Sequence, residues 1–352
     1  MGMKTHARSR RRLLPAAFGL AAVTLAGLNP ALHAEPTAQM KEVLDTYALL
    51  SPVPLEKTTP IAAKAAPTVT SAVKAVMLKE GKKAPEFTGT TQDFKIPVGG
   101  GEEVDARAYI PAGDGPFPTI LYIHGGGWVI ADLDTYDASP RGLCETTKAV
   151  VISTDYRQAP KYKFPTAHDD TVQAYKWVLA NASKYKGDPK KVAVAGESAG
   201  GNMAFSIALE AKKQNIQSPV YQLLVYPVAN YDFTTQSYKE NETTKPLSAE
   251  GMKWFFNYYL DKPEDGGNPR LSVLRVADFK GLPPATIIGA EIDPLRSEGK
   301  ALADKLEAAG VKVNYQLYKG VTHEFFGMGA LIDEAKQAET VAAADLKTAF
   351  GK

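Results

Sequence analysis

The chain has 352 residues, of which 44% are hydrophobic and 23% are charged, and its formal net charge is +2. These values predict a globular protein that buries one large core or two smaller ones, and no repeat of solenoid length is visible. Cys144 is the single cysteine, so a disulfide within the chain is excluded.

The first 34 residues have the three-part layout of an export signal. The basic "MGMKTHARSRRR" precedes the apolar "LLPAAFGLAAVTLAGL" and the small residues of "NPALHA". The apolar run is short for a membrane-spanning helix, and "SRRRLL" resembles a twin-arginine signal. We therefore expect cleavage after Ala34 and export to the periplasm or secretion from a bacterium, with an uncleaved anchor as the alternative.

Removal of this segment changes the charge of the chain. The segment contains five Lys and Arg residues and no acid, so Lys and Arg fall from 41 to 36 against 39 Asp and Glu. The formal net charge then changes from +2 to −3. The mature protein is therefore predicted to have no nucleic-acid partner and no stable membrane association.

Residues 35–100 are predicted to form the first part of a helical cap. Its first helix is indicated by apolar residues at a helical spacing, namely Met40, Val43, Leu44 and Tyr47. An Ala-rich helical stretch, broken at Pro67, follows the turn signals of "SPVPLEKTTP". Residues 231–270 are predicted to form the second part, with a helix that Ser248 caps.

Residues 101–352, apart from that insertion, are predicted to form an α/β catalytic domain. Apolar strands alternate here with amphipathic helices, and the strands are "VDARAYIPA", "FPTILYIHGGG", "AVVISTDYR", "KKVAVAGES", "VYQLLVYPV", "PPATIIGAE" and "VKVNYQLYKG". This alternation predicts a mostly parallel sheet with helices on both faces.

The motif Gly-x-Ser-x-Gly lies between a buried strand and a helix in "VAVAGESAGGNMAFSIAL". This is the context of a nucleophile elbow, in which glycines at Gly196 and Gly200 leave room for a strained turn. The helix that begins at Ala199 directs its N-terminus at the same place, where N–H groups favour developing negative charge. We therefore predict Ser198 as a catalytic nucleophile.

A serine nucleophile needs a base, and three histidines follow the signal. His124 opens "HGGGW", where the glycines suggest a role for the backbone. His168 lies at a helix start in "FPTAHDD" and is predicted to be solvated or to cap the helix. His323 lies in a loop after a late strand, in "VTHEFFG", and is predicted to be the base.

The base in turn needs an acid that orients its ring and stabilises the imidazolium. Asp293 follows the strand "ATIIGA" and lies at the predicted sheet edge that also carries Ser198. Glu291 and Glu298 are the competing carboxylates. The order Ser198, Asp293, His323 is the order that the α/β-hydrolase fold uses.

Five motifs occur in the order seen in the hormone-sensitive-lipase-like branch of the α/β-hydrolases, whose bacterial members include the family IV esterases. They are "HGGGW", "DYRQAPKYKFPTAHDD", "GESAGGNMA", "GLPPATIIGAEIDPLRSEG" and "HEFFG". The chain resembles this branch from about residue 104 onward. Glu197 stands where many members have Asp.

The resemblance implies a cofactor-independent serine carboxylesterase that hydrolyses small-molecule esters with short to medium acyl chains. Carried over by motif, the triad is Ser198, Asp293 and His323, and the oxyanion hole consists of the N–H groups of Gly126, Gly127 and Ala199. It also implies a monomer or a homodimer.

Two other readings remain open. An amidase or peptidase could use the same scaffold, and a binding protein could keep the fold without catalysis. A metal site is not predicted, because the scattered histidines and one cysteine form no ligand pattern.

Overall fold

The computed structural model describes residues 1–4, 34–50 and 53–352. Residues 5–33, which carry the arginine run and the apolar stretch of the predicted export signal, lie outside the described residues. The chain divides into two units, Met1–Leu32 and His33–Lys352. All helices and strands named below belong to the second unit.

In the described part of the chain, eight strands form one sheet in the order β1-β2-β4-β3-β5-β6-β7-β8. Their bounds are β1 Thr90–Gly99, β2 Glu102–Ile110, β3 Phe117–Ile123, β4 Val150–Thr154, β5 Gly187–Glu197, β6 Gln222–Val225, β7 Ala285–Ile292 and β8 Val313–Thr322. Only β2 runs against its neighbours, pairing antiparallel with β1 and β4, and the other pairs are parallel. The predicted mostly parallel sheet is therefore confirmed.

Helices cover both faces of this sheet. Their bounds are α1 Ala38–Leu50, α2 Pro60–Ala65, α3 Val69–Lys79, α4 Ala138–Thr147, α5 Thr166–Asn181, α6 Ala199–Gln214, α7 Gln236–Glu240, α8 Ala249–Tyr259, α9 Arg296–Ala308 and α10 Asp333–Ala349. Alternate residues of β5 enter the two cores on opposite faces of the sheet. Val192 and Val194 pack in the core that contains α5, α6 and α9. Ala193 and Ala195 pack in the core that contains α4 and α10. A strand buried on both faces explains the continuous apolar runs in the sequence.

The reading of residues 35–100 as a wholly helical and irregular cap segment is wrong for its last part. Residues Thr90–Gly99 form β1, an edge strand of the sheet. Ile96 and Val98 alternate inward and are buried, while their neighbours face outward. Pro97 and the glycines after it hid this alternation, although proline is tolerated in an edge strand because its missing N–H faces no partner.

The two predicted cap segments meet. Pro67 separates α2 from α3, and Thr68 caps α3 by accepting a hydrogen bond from the Ser71 N–H at 3.3 Å. In the insertion, Ser248 caps α8 as predicted, accepting from the Gly251 N–H at 3.0 Å. The indole Nε1–H of Trp254 in α8 donates to the Thr58 carbonyl at 2.9 Å, which joins the insertion to the N-terminal segment.

Candidate active site

Ser198 lies on a sharp turn between the end of β5 and the start of α6. Its φ of 57° and ψ of −119° lie in a region that residues other than glycine rarely adopt. A Cβ on Gly200 would lie 2.0 Å from the Ile123 carbonyl oxygen, and a Cβ on Gly196 would lie 2.3 Å from the Gly200 carbonyl oxygen. The two glycines therefore allow α6 to approach β3 and β5 closely enough to hold the strained serine.

Replacing Gly200 with alanine is expected to destabilise the protein by about 3 kcal/mol, because the obstructing atom is backbone and cannot rotate away. Gly299 in α9 is the matched control, since a Cβ there has its nearest atom, Pro227 Cδ, at 3.9 Å. Gly299→Ala is expected to stabilise the helix by roughly 0.5–1 kcal/mol. Urea denaturation measures both, and equal effects would contradict this account of the turn.

Asp293 and His323 are hydrogen-bonded, with Asp293 Oδ2 2.7 Å from His323 Nδ1. Both residues are buried. The other carboxylate oxygen of Asp293 accepts from the Leu295 N–H at 2.8 Å, which fixes the carboxylate plane. Burial by itself lowers the pKa of His323, but the carboxylates around it, first Asp293 and then Glu324 and Glu197, together raise that pKa above its usual range.

Ser198 and His323 line the same cavity, whose volume is about 580 Å³. Within the described residues, no hydrogen bond joins the Ser198 hydroxyl to the His323 ring. Such bonds commonly tighten only in the substrate complex. The sequence-predicted nucleophile, base and acid are thus brought to one site.

Two of the three residues predicted for the oxyanion hole border this cavity, and the third, Ala199, directly follows Ser198. Gly126 and Gly127 line the cavity, and both have positive φ, 93° and 56°. Among the described residues, the N–H groups of Gly126, Gly127 and Ala199 donate to no other group. Ala199 is the first residue of α6, so its N–H lies at the positive end of the helix dipole.

The glycine loop also contacts the cap. A Cβ on Gly127 would lie 2.1 Å from the ring of Phe255 in α8. Phe255 is buried and lines the cavity together with Leu247, Pro246 and Ile130. The insertion therefore supplies an apolar wall directly over the predicted oxyanion hole.

The competing carboxylates of Glu291 and Glu298 accept hydrogen bonds from backbone N–H groups instead. Glu291 Oε2 accepts from the Gly320 N–H at 2.9 Å. Glu298 Oε1 accepts from the Ala229 N–H at 2.7 Å. Neither carboxylate makes a hydrogen bond with His323 in the described residues, so Asp293 is the geometrically placed acid.

His124 and His168 each form hydrogen bonds away from Ser198, and the prediction for His168 is wrong. His168 was predicted to be solvated or capping, yet it is buried between α5, α6 and α8, with Nδ1 2.7 Å from Tyr259 Oη and Nε2 2.8 Å from Asn202 Oδ1. Burial lowers the pKa of His168 to about 3. The Nε2 atom of His124 lies 2.7 Å from Asp155 Oδ1. This contact fixes the start of the glycine loop, residues 125–127, which follows His124.

Sequence reasoning missed a buried network of tyrosines and acids behind the predicted triad. Glu197, the residue before Ser198, accepts from Tyr122 at 2.5 Å and also from Tyr226. The Tyr226 ring packs on His323 with a centroid distance of 4.5 Å. The signal available in the sequence was an acid directly beside the nucleophile in "GES" and another directly after the base in "HEF".

No group of three His, Cys, Asp or Glu side chains is arranged to hold a metal ion within the described residues. The arrangement offers a strained serine, a buried histidine–aspartate pair and three unused N–H donors. These are the parts needed for acyl transfer through a covalent intermediate.

The chain is similar to known proteins both in sequence and in structure. Residues 120–327 match the sequence model of a family with the alpha/beta hydrolase fold. Ethyl acetate hydrolase of Pseudomonas putida is 34% identical over 249 residues, covering 70% of this chain and 78% of that protein. Carboxylesterase NlhH of Mycobacterium tuberculosis is 35% identical over 279 residues, covering 78% of this chain and 88% of that protein.

Solved esterase structures agree with this result. A hyperthermophilic esterase from Pyrobaculum calidifontis superposes with a TM-score of 0.80 at 34% identity, covering 89% of this chain and 98% of that one. A thermostable esterase from Pseudomonas putida gives a TM-score of 0.79 at 33% identity, covering 87% and 97%. The chain therefore belongs to the hormone-sensitive-lipase-like branch of the α/β-hydrolases.

Proposed function

We propose that this carboxylic ester hydrolase is a serine esterase that uses Ser198, His323 and Asp293 to cleave esters with short to medium acyl chains. The observation that carries the proposal is the 2.7 Å bond between Asp293 and His323 in the cavity that also holds Ser198. The elbow geometry of Ser198 and the unused N–H groups beside it support the same chemistry.

The reaction has two halves. In the first, His323 accepts the Ser198 proton while the hydroxyl oxygen bonds to the ester carbonyl carbon, and the negative oxygen is held by the N–H groups of Gly126, Gly127 and Ala199. The intermediate collapses, the C–O bond to the alcohol breaks, and His323 returns the proton to the leaving alkoxide. In the second half, water replaces the serine as nucleophile and releases the acid.

The preference for short to medium acyl chains is supported by the size and walls of the cavity. A volume of about 580 Å³ lies within the range that small organic ligands fill. Phe255 closes the cavity over Gly127. One relative, from Pseudomonas putida, is named for ethyl acetate, a short ester.

We also propose that the enzyme acts outside the cytoplasm. Support comes from the sequence of the first 34 residues, with "SRRRLL" before a weakly apolar run. Fractionation of a bacterium that expresses the chain, with and without Arg10 and Arg11 changed to lysine, tests this, and the variant is expected to remain in the cytoplasm.

The activity is tested with p-nitrophenyl esters from acetate to palmitate and with a matched p-nitroanilide. We expect kcat/KM to peak between acetate and octanoate and to fall at least about tenfold by palmitate, since methylenes beyond the pocket gain no burial. A maximum at palmitate would contradict the acyl-chain assignment. Comparable turnover of the anilide would favour an amidase.

A further inference from the structure

Glu324, the residue after the proposed base, occupies an unusual position. Its φ of 68° is left-handed, which a residue with a Cβ adopts only when its surroundings hold it there. It lines the active-site cavity together with His323 and Ser198. It also lines a second cavity of about 590 Å³ between α3, α4 and α10, so the residue stands in the wall between the two.

One tyrosine holds the Glu324 carboxylate. The hydroxyl of Tyr136 donates to Glu324 Oε1 at 3.3 Å. Tyr136 is buried beneath the glycine loop, where a Cβ on Gly125 would lie 2.3 Å from its hydroxyl oxygen. The Tyr136 hydroxyl therefore holds the Glu324 carboxylate from the side of the glycine loop.

The other charged groups around this carboxylate come from several elements. Asp293 follows β7, Glu197 ends β5, and Glu339 in α10 lines the second cavity. Within the described residues, no lysine or arginine forms an ion pair with Glu324 or Glu197. The cations of the second cavity are Lys74, Arg141 and Lys336, of which Arg141 is paired with Asp137. The cations of the active-site cavity are Lys64, Arg157 and Lys161, of which Arg157 is paired with Asp170.

The chemistry requires a positive charge to develop close to these acids. His323 becomes an imidazolium each time it takes a proton from Ser198 or from water. That charge is buried, and Asp293 is its single hydrogen-bonded counter-ion in the described residues. A second carboxylate close to the ring would stabilise this charge further, because opposite charges attract more strongly near a protein interior than in bulk water.

We propose that Glu324 is a positioning residue of this esterase: its carboxylate, held by Tyr136, acts on His323 as a second anionic partner besides Asp293 and favours the protonated imidazole. The proposal rests on the proposed ester hydrolysis. Burial raises the pKa of Glu324 above its usual range, and the positive charge of His323 opposes this. A positive charge on His323 and a negative charge on Glu324 therefore each favour the other.

The sign of the effect on activity follows directly. An ionised Glu324 raises the pKa of His323, and only the neutral imidazole can act as base. Replacing Glu324 with glutamine keeps the shape of the side chain and removes the charge, so the pKa of His323 falls. The acid limb of the kcat/KM profile is then expected to move to lower pH by about one unit.

Three variants and a control test the proposal, with p-nitrophenyl acetate as substrate from about pH 4 to pH 9. Glu324→Gln should move the acid limb down, and Glu324→Asp should return it toward the wild-type position. Tyr136→Phe, which removes the hydrogen bond, should move it by less than Glu324→Gln. Glu307→Gln, which removes an exposed acid from α9, should leave the limb unchanged.

A second readout does not depend on turnover. The rate at which a p-nitrophenyl alkylphosphonate labels the serine reports the same base, and its pH profile should shift equally in Glu324→Gln. Equal acid limbs for wild type and Glu324→Gln, in both assays, would overturn the proposal while leaving the esterase assignment intact. A wild-type protein that neither hydrolyses esters nor is labelled would overturn the proposed function itself.

Discussion

Replacing Ser198 with alanine is expected to lower kcat for ester hydrolysis about a million-fold, as removal of the nucleophile does in other serine hydrolases. The reason is that no other hydroxyl of the described residues occupies the strained turn at the start of α6, where φ is 57°. Without the hydroxyl no acyl-enzyme forms, and only the binding and oxyanion contributions remain. Initial rates with p-nitrophenyl acetate, compared with wild type, give the ratio.

Ser206 supplies the matched control for this experiment. It lies on the same helix, is buried, and its hydroxyl has no hydrogen-bond partner in the described residues. Ser206→Ala should therefore keep full activity and equal or greater stability, since it removes an unsatisfied polar group. Activity that persists in Ser198→Ala would show that the reaction runs through a different nucleophile.

Much of the site could be predicted from the sequence because its parts are local. The turn at Ser198 needs glycines at fixed offsets, and those glycines can be read directly. Asp293 and His323 each follow a predicted strand, and parallel strands bring their carboxyl ends to one edge of the sheet. Order and position along the chain were therefore enough to predict that these residues meet.

The parts that could not be predicted depend on packing between distant segments. His168 sits in a polar sequence context, and only the approach of α6 and α8 buries it against Asn202 and Tyr259. The strand β1 is hidden by Pro97, and pairing with β2 reveals it. Glu324 and Tyr136 are 188 positions apart, so no local pattern could show their contact.

Two buried histidines have pKa values shifted in opposite directions, because their hydrogen-bond and charged partners differ. Burial acts on both His168 and His323 and lowers the pKa of each. His168 has neutral partners and the Arg270 charge nearby, so its pKa falls to about 3 and it stays neutral. His323 faces Asp293, with Glu324 and Glu197 also near, and these carboxylates together reverse the direction and raise its pKa, which suits the base proposed for the reaction.

Replacing Asp293 with asparagine is expected to lower kcat about ten-thousand-fold with little change in KM. The amide is nearly isosteric, so the 2.7 Å contact with His323 Nδ1 can persist. The amide can, however, present its NH₂ group to the ring, which places the histidine proton on the wrong nitrogen. It also removes the charge that stabilises the imidazolium, so the loss appears in the transition state and hence in kcat.

Glu291→Gln is the control for Asp293→Asn, because Glu291 was one of the two competing candidates and lies at the end of β7, two residues before Asp293. Its carboxylate accepts a bond from Gly320 and has no hydrogen bond with His323 in the described residues, so kcat should stay within about threefold of wild type. Steady-state kinetics on both variants, with circular dichroism to verify folding, separate the two acids. A large loss in Glu291→Gln together with a small loss in Asp293→Asn would reverse the assignment, because the acid that sets the tautomer of His323 must be the one whose charge the reaction needs.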